Sequence, residues 1–220
     1  MQAVIFDMDG LLIDSEPFWK QAEKRVFSAI GVEITDVLSA KTMGMTTREA
    51  TKFWLQHAGL SLSQHLMEQV ENDVIDEVAS LTATQGQALP GVHDLLEQLK
   101  QKKLKIGLAT NAPARIVPVV LERLDVRDIF DSYVADDDVA EGKPHPAIYQ
   151  VALKRINAQA NQTIAFEDSV TGMTAAMGAS IRTVVVPSHA NYHLPHYDAA
   201  ALKLDSLNGL TLQHLYDLFE

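Results

Sequence analysis

The sequence contains no cysteine. That excludes disulfide staples, thiolate catalysis and cysteine-ligated zinc. Positive charge is also scarce: 18 Lys and Arg stand against 29 Asp and Glu, and the net charge is -11 with His neutral. A chain this acidic repels phosphate backbones and anionic lipid heads, so no nucleic acid and no membrane is expected among its partners. An anionic ligand would need local positive charge, from a metal ion, lysines or backbone N–H groups. No apolar run approaches the length of a membrane span. The opening Met1-Gln2-Ala3-Val4-Ile5-Phe6-Asp7 has neither the basic region nor the long apolar run of a signal peptide. The expected location is the cytoplasm, and the expected state is a monomer.

What remains is a chain of 220 residues, 47% hydrophobic and 21% charged, which suits an ordinary globular domain with a smaller one attached. Short apolar runs read as buried parallel strands: Ala3–Phe6, Lys105–Ala109, Tyr133–Ala135, Thr163–Phe166 and Thr183–Val186. Helical spacing separates the later ones. After Pro90-Gly91 come Val92, Leu95, Leu96 and Leu99; after Pro113 come Ile116, Val117, Val120, Leu121 and Leu124. Pro146 precedes Ile148, Tyr149, Val151, Ala152 and Ile156. Ser169 is placed to cap a helix through Met177, with Gly178 as its stop. Such alternation predicts an α/β sheet covered on both faces. The stretch from Ser15 to Ala88 breaks the rhythm. It has no convincing strand, and its apolar residues (Phe18, Ala22, Val26, Phe27; Ala50, Phe53, Trp54; Leu66, Val70, Val74, Val78) keep helical spacing. It reads as an all-helical insert, residues 15–88, in a core formed by residues 1–14 and 89–220.

In an open α/β sheet, ligands bind beyond the carboxyl ends of the strands. Charged and polar residues collect there. The first strand ends in Asp7-Met8-Asp9-Gly10 and the second in Thr110-Asn111; Gly142-Lys143-Pro144 follows the third and Glu167-Asp168 ends the fourth. Each alone is ordinary: an Asp-x-Asp turn, an exposed lysine, an acidic helix start. Together they suit phosphate-ester cleavage. A carboxylate nucleophile splits one hard displacement into two easier ones. Its approach to a phosphate needs a cation, and Mg²⁺ takes a few carboxylate oxygens with waters and phosphate. Asp7 and Asp168 are suitable ligands. On a regular strand Asp9 would share the face of Asp7; a turn at Gly10 would re-aim it toward a leaving oxygen, as general acid and then base. Thr110 and nearby backbone N–H groups can bond phosphoryl oxygens, and Lys143 can neutralise charge.

On these motifs, with Lys143-Pro144-His145-Pro146 and Glu167-Asp168-Ser169-Val170-Thr171-Gly172, the chain resembles phosphatases of the haloacid dehalogenase superfamily. The resemblance implies a Rossmann-like parallel sheet with an inserted helical cap domain, as in the β-phosphoglucomutase-like branch. It implies that Asp7 is nucleophile and metal ligand, that Asp9 is acid/base and binds the metal through its carbonyl, and that Thr110 and Asn111 hold phosphate. Lys143 would steady the nucleophile, Asp168 would bind Mg²⁺, and Glu167 would serve the metal directly or through water. Dehalogenases lack the second aspartate, so Asp9 favours phosphoryl transfer. The stretch Leu11-Leu12-Ile13-Asp14-Ser15-Glu16-Pro17-Phe18-Trp19 is similar to bacterial hexitol- and 2-deoxyglucose-6-phosphate phosphatases. β-Phosphoglucomutases usually carry a cap histidine where this chain has Trp19.

The expected partner is therefore a small phosphorylated metabolite, a sugar or sugar-alcohol phosphate. The rival readings are a phosphomutase and a non-catalytic phosphometabolite sensor. Arg48, beside Gly44-Met45-Thr46-Thr47, is the candidate substrate contact from the insert. Three features are distractors. Gly142-Lys143 lacks the other residues of a P-loop. Asp136-Asp137-Asp138 reads as a solvated loop rather than a second cation site. His189, His193 and His196 lie in a proline-flanked stretch unsuited to a helical zinc site.

Overall fold

The computed structural model describes residues 1–35, 38, 41–42 and 45–219. Its sheet contains β1 (Ala3–Phe6), β2 (Lys105–Ala109), β3 (Ser132–Val134), β4 (Thr163–Glu167), β5 (Arg182–Val185) and β6 (Leu202–Lys203), in the order β3-β2-β1-β4-β5-β6. Every pairing is parallel. This is the expected α/β, Rossmann-like architecture. The five expected strands are present, β1 and β2 at the expected bounds and β3, β4 and β5 with ends shifted by a residue, and β6 is an addition. It is only two residues long and half-exposed, too short to leave a sequence pattern.

The helices are α1 (Glu16–Ala29), α2 (Thr47–His57), α3 (Gln64–Gln85), α4 (Val92–Gln101), α5 (Ile116–Arg123), α6 (Ala147–Arg155), α7 (Val170–Gly178) and α8 (Leu212–Asp217). Alternation along β1 sends its side chains to two cores. Val4 and Phe6 join Ile106, Leu108, Ile164 and Phe166 on one face, under α4 and α5. Ala3 and Ile5 join Ala109, Val134 and Ala165 on the other, under α6 and α7. Gly178 does not stop α7 as expected; it is the last helical residue. A Cβ there would meet Pro146 Cβ at 3.3 Å, so its bareness lets α7 pack on the start of α6. The left-handed residue beyond the helix is Ser180, φ 60°.

Among the described residues of the insert there are three helices, and α1 and α2 both pack on α3. Phe27 and Trp54 are buried between them with Val70, Val74 and Val78. Thr46 and Glu49 form a capping box at the start of α2. Ile13 and Ala88 bridge one another at the insert's base, and Leu89 N–H donates to Leu12 carbonyl at 3.0 Å, so the outgoing and returning chains run side by side. The insert also leans on the core: α3 packs on α5, and Arg123 Nε donates to Gly86 carbonyl at 2.8 Å. Gly44 lies outside the described residues. No helix among the described residues is long and apolar enough to cross a membrane.

The centre of the sheet is a pair of rings. Phe6 and Phe166, neighbours in register, stack at 5.0 Å and are fully buried. Phe166→Ala should lower unfolding free energy by about 3–5 kcal/mol, read as a reduced urea midpoint at unchanged m-value. A loss below about 1 kcal/mol would contradict this account of the core.

Candidate active site

The strand order reverses between β1 and β4, and the crevice of such a sheet lies beyond their carboxyl ends. Ala3 pairs with Thr163 and Ile5 with Ala165. One step further in the same alternation brings Asp7 beside Glu167, and Asp7 N–H donates to Phe166 carbonyl at 2.9 Å. Two buried carboxylates therefore stand side by side on the face turned toward α6. The Lys143 ammonium lies between them, 2.6 Å from Asp7 Oδ1 and 2.7 Å from Glu167 Oε1. Asn111 sets its backbone: Asn111 Oδ1 accepts from Lys143 N–H at 2.8 Å, and Nδ2 donates to Lys143 carbonyl at 3.2 Å. The Asn111 side chain is thus bonded to the lysine loop.

Glu167 has a built enclosure. Tyr149 OH donates to its Oε1 from α6. Gly172 stands against the carboxylate so closely that a Cβ there would lie 1.9 Å from Oε2. Ser169 caps α7 by accepting from Gly172 N–H at 3.0 Å. Asp168 is pressed onto Gly10, whose φ is +78° and whose added Cβ would lie 2.2 Å from Asp168 Oδ2. Gly10 therefore has two reasons to be glycine: the left-handed turn and the close carboxylate.

That turn sends Asp9 away from the face it would share with Asp7 on a straight strand. Ser15 Oγ donates to Asp9 Oδ1. Trp19 Nε1 donates to the same oxygen at 3.4 Å, and Thr110 Oγ1 donates to Oδ2 at 3.3 Å. Ser15 and Trp19 come from the start of the insert, so the site is assembled from both parts of the chain. Ser15 occupies the N-cap of α1 but makes no side-chain cap bond; its hydroxyl goes to Asp9 instead. Thr110 also accepts from Ala112 N–H at 3.0 Å.

The electrostatics are unbalanced. Burial works against the charged form of Lys143, but Asp7 and Glu167 outweigh it and hold the ammonium above its ordinary pKa. Burial raises Asp168 well above the carboxylate range, and the Asp7 and Glu167 charges push it further. Glu167 is raised by burial despite Lys143. For Asp9, burial raises the pKa against the Ser15 hydrogen bond, and the Asp7 charge adds to the rise. Oxygens of Asp7, Glu167 and Asp168 all lie within 4.8 Å of one another. Three carboxylates against one ammonium leave excess negative charge in a buried place. A hard divalent cation held by these oxygens meets that need, and the donor set is of the right kind. The Asp9 side chain is not in this cluster, so any metal contact from Asp9 falls to its carbonyl, as the resemblance implies.

The other expectations fare differently. Arg48, in the first turn of α2, is 62% exposed and faces Glu71 at 3.9 Å. In Asp136-Asp137-Asp138, Asp137 Oδ2 accepts from Ala114 N–H at 2.6 Å and Asp138 pairs with Arg155. Both residues are exposed, as a solvated loop requires, and each also bonds a protein group. The three histidines form no metal-holding group among the described residues. Tyr149 escaped sequence reading because it falls on the apolar repeat of α6.

A doubly wound sheet carrying buried carboxylates and a lysine at its switch point defines the chain as an α/β enzyme with an acidic centre. The model of the haloacid dehalogenase-like hydrolase family matches residues 4–186. The chain belongs to that family. It is 35% identical over 214 residues to hexitol phosphatase B of Escherichia coli, covering 97% of this chain and 96% of that protein. It is 36% identical over 190 residues to the phosphorylated carbohydrates phosphatase of Thermotoga maritima, covering 86% and 87%. The crystal structure of CbbY from Rhodobacter sphaeroides in complex with phosphate superposes with a TM-score of 0.88 at 28% identity, covering 96% of each chain.

The close fit at Gly172 is testable. Gly172→Ala should stay folded but displace Glu167, with kcat on a sugar phosphate falling at least tenfold. Wild-type kcat in a folded variant, by circular dichroism, would show that the Glu167 position is not critical.

Proposed function

We propose that the protein is a Mg²⁺-dependent phosphatase of small sugar or sugar-alcohol phosphates that works through a phosphorylated Asp7. The observation that carries this reading is the division of labour between two carboxylates. Asp7 is aligned by Lys143 beside Glu167 and Asp168, while Asp9 is held apart by neutral donors. Asp7 attacks phosphorus and forms an acyl phosphate as the ester P–O bond breaks. Asp9, protonated, gives its proton to the departing oxygen. As a carboxylate it then takes a proton from the water that attacks phospho-Asp7, and inorganic phosphate leaves with Asp7 restored. Lys143 and the backbone N–H groups after Thr110 stabilise the phosphoryl oxygens. Asp7, Asp168, Glu167 and the Asp9 carbonyl would hold Mg²⁺, which would supply the positive charge that lets an anionic nucleophile approach a phosphate. The substrate class is supported by the relatives named for hexitol and phosphorylated-carbohydrate phosphatase activity. Residues 15–88 serve as the cap, with Arg48 among its substrate-facing candidates.

The phosphomutase reading is disfavoured by Trp19. An indole N–H donates a hydrogen bond but neither accepts a proton nor ionises at ordinary pH. It orients Asp9 without relaying protons to a second sugar hydroxyl. The enzyme should release stoichiometric phosphate from a hexose 6-phosphate such as 2-deoxyglucose 6-phosphate. With β-glucose 1-phosphate and a bisphosphate primer, rapid formation of glucose 6-phosphate with negligible phosphate release would establish the mutase instead.

Asp7→Asn should be folded and inactive. Asp9→Asn should lose about 10²–10⁴-fold in kcat. Turnover by folded Asp7→Asn near the wild-type rate would reassign the nucleophile.

EDTA in excess should abolish activity, and Mg²⁺ should restore it. Full turnover in metal-free buffer would refute the assigned role of the acidic cluster.

A further inference from the structure

The helical insert carries a carboxylate that none of these steps uses. Glu71 lies on α3 among the buried Val70, Val74 and Ile75. Its side chain is only 15% exposed, and its Oε1 is buried without a hydrogen-bond partner among the described residues. Its other oxygen is 3.9 Å from Arg48, beyond a direct hydrogen bond. Burial raises its carboxyl above the ordinary range, against the lowering effect of Arg48. Buried acceptors in folded proteins nearly always find donors. Among the described residues none supplies a donor to this one.

The sequence neighbours of Glu71 and Arg48 reach the loops beyond the strand ends. The next residue along α3, Asn72, accepts from Arg115 Nη1 at 2.8 Å, and Asp76 pairs with the other arm of Arg115. Arg115 lies in the loop leaving β2, the loop that begins with Thr110 and Asn111. Beside Arg48, Glu49 is near enough to Asp136, in the loop leaving β3, for its charge to contribute to raising that carboxyl. Both members of the pair thus ride on segments that meet the core at the carboxyl ends of its strands, beside the site proposed above.

We infer that Glu71 determines substrate specificity: it accepts a hydrogen bond from a hydroxyl on the polyol end of the substrate, and its charge rejects substrates with a second phosphate. The inference rests on the phosphatase reading above. Arg48 on its own would attract a distal phosphate. Glu71 cancels that attraction and turns the pair into a donor and acceptor for hydroxyl groups. The substrates selected are monophosphates of uncharged polyols. A site built to bond a hydroxyl discriminates strongly against a ligand that lacks it.

The test compares kcat/KM for sorbitol 6-phosphate, fructose 1,6-bisphosphate and acetyl phosphate, which has no hydroxyl, in wild type, E71A, E71Q and E71K. Wild type should favour the monophosphate over the bisphosphate. E71A should lower the ratio of sorbitol 6-phosphate to acetyl phosphate by about tenfold to a hundredfold, chiefly through KM. E71K should shift the bisphosphate-to-monophosphate ratio upward by at least tenfold. E71Q, which keeps the shape and loses the charge, should shift that ratio in the same direction and stands as the test should the others fail to fold. Both ratios unchanged in folded variants would overturn the role of Glu71. If wild type with Mg²⁺ released no phosphate from any of the three compounds, the phosphatase reading itself would fall, so the two failures are distinguishable.

Discussion

The buried ammonium of Lys143 is the interaction on which the rest of the site depends. Parallel register places Asp7 and Glu167 side by side on one face of the sheet. Two anions at that spacing repel, and burial magnifies the cost. Lys143 arrives from a distant loop, and its charge makes the juxtaposition tenable. Its own position is secured by Asn111, which bonds both backbone polar groups of the lysine. One cation therefore ties together the ends of β1, β2 and β4 and the loop beyond β3. Removing it would leave two buried charges facing one another, a defect far larger than the loss of one surface ion pair.

On the proposed mechanism, one type of side chain at this site is given two jobs. Asp7 lies against a fixed positive charge, whereas the contacts to Asp9 come from a serine hydroxyl, an indole and a threonine hydroxyl. Neutral donors stabilise the carboxylate, while burial favours the protonated acid. A group poised between these pulls is suited to changing protonation state during a reaction, and environments that separate two carboxylates in this way assign acid and nucleophile.

Much of this was legible in the sequence because buried parallel strands are short apolar runs and their ends carry the chemistry. Asp7, Lys143, Glu167 and Asp168 stood out as charges just beyond such runs. The partners of those charges did not. Tyr149 keeps the helical repeat of its neighbours and looks like core until its hydroxyl is seen on Glu167. Ser15 has the form of a helix cap, and only the path of the chain around it shows that its hydroxyl serves Asp9. That Asn111 also bonds both backbone polar groups of Lys143 could not be read, because the course of the Lys143 loop is not written locally. Gly178 reads as a helix stop because glycine usually is one; here contact with Pro146 explains it.

The hold of Ser15 and Trp19 on Asp9 bears on how such enzymes are diversified and engineered. Inserts of this kind invite exchange as modules, with the strand ends as natural splice points and the sheet left as an invariant platform. In this chain the module and the platform are not separable at that line. The first turn of α1 bonds Asp9 although it belongs to the insert by position. A chimera that keeps the host residues through Trp19 and grafts only the remainder of the insert would preserve the environment of Asp9. One joined at residue 14 would import another protein's proton-handling contacts along with its selectivity.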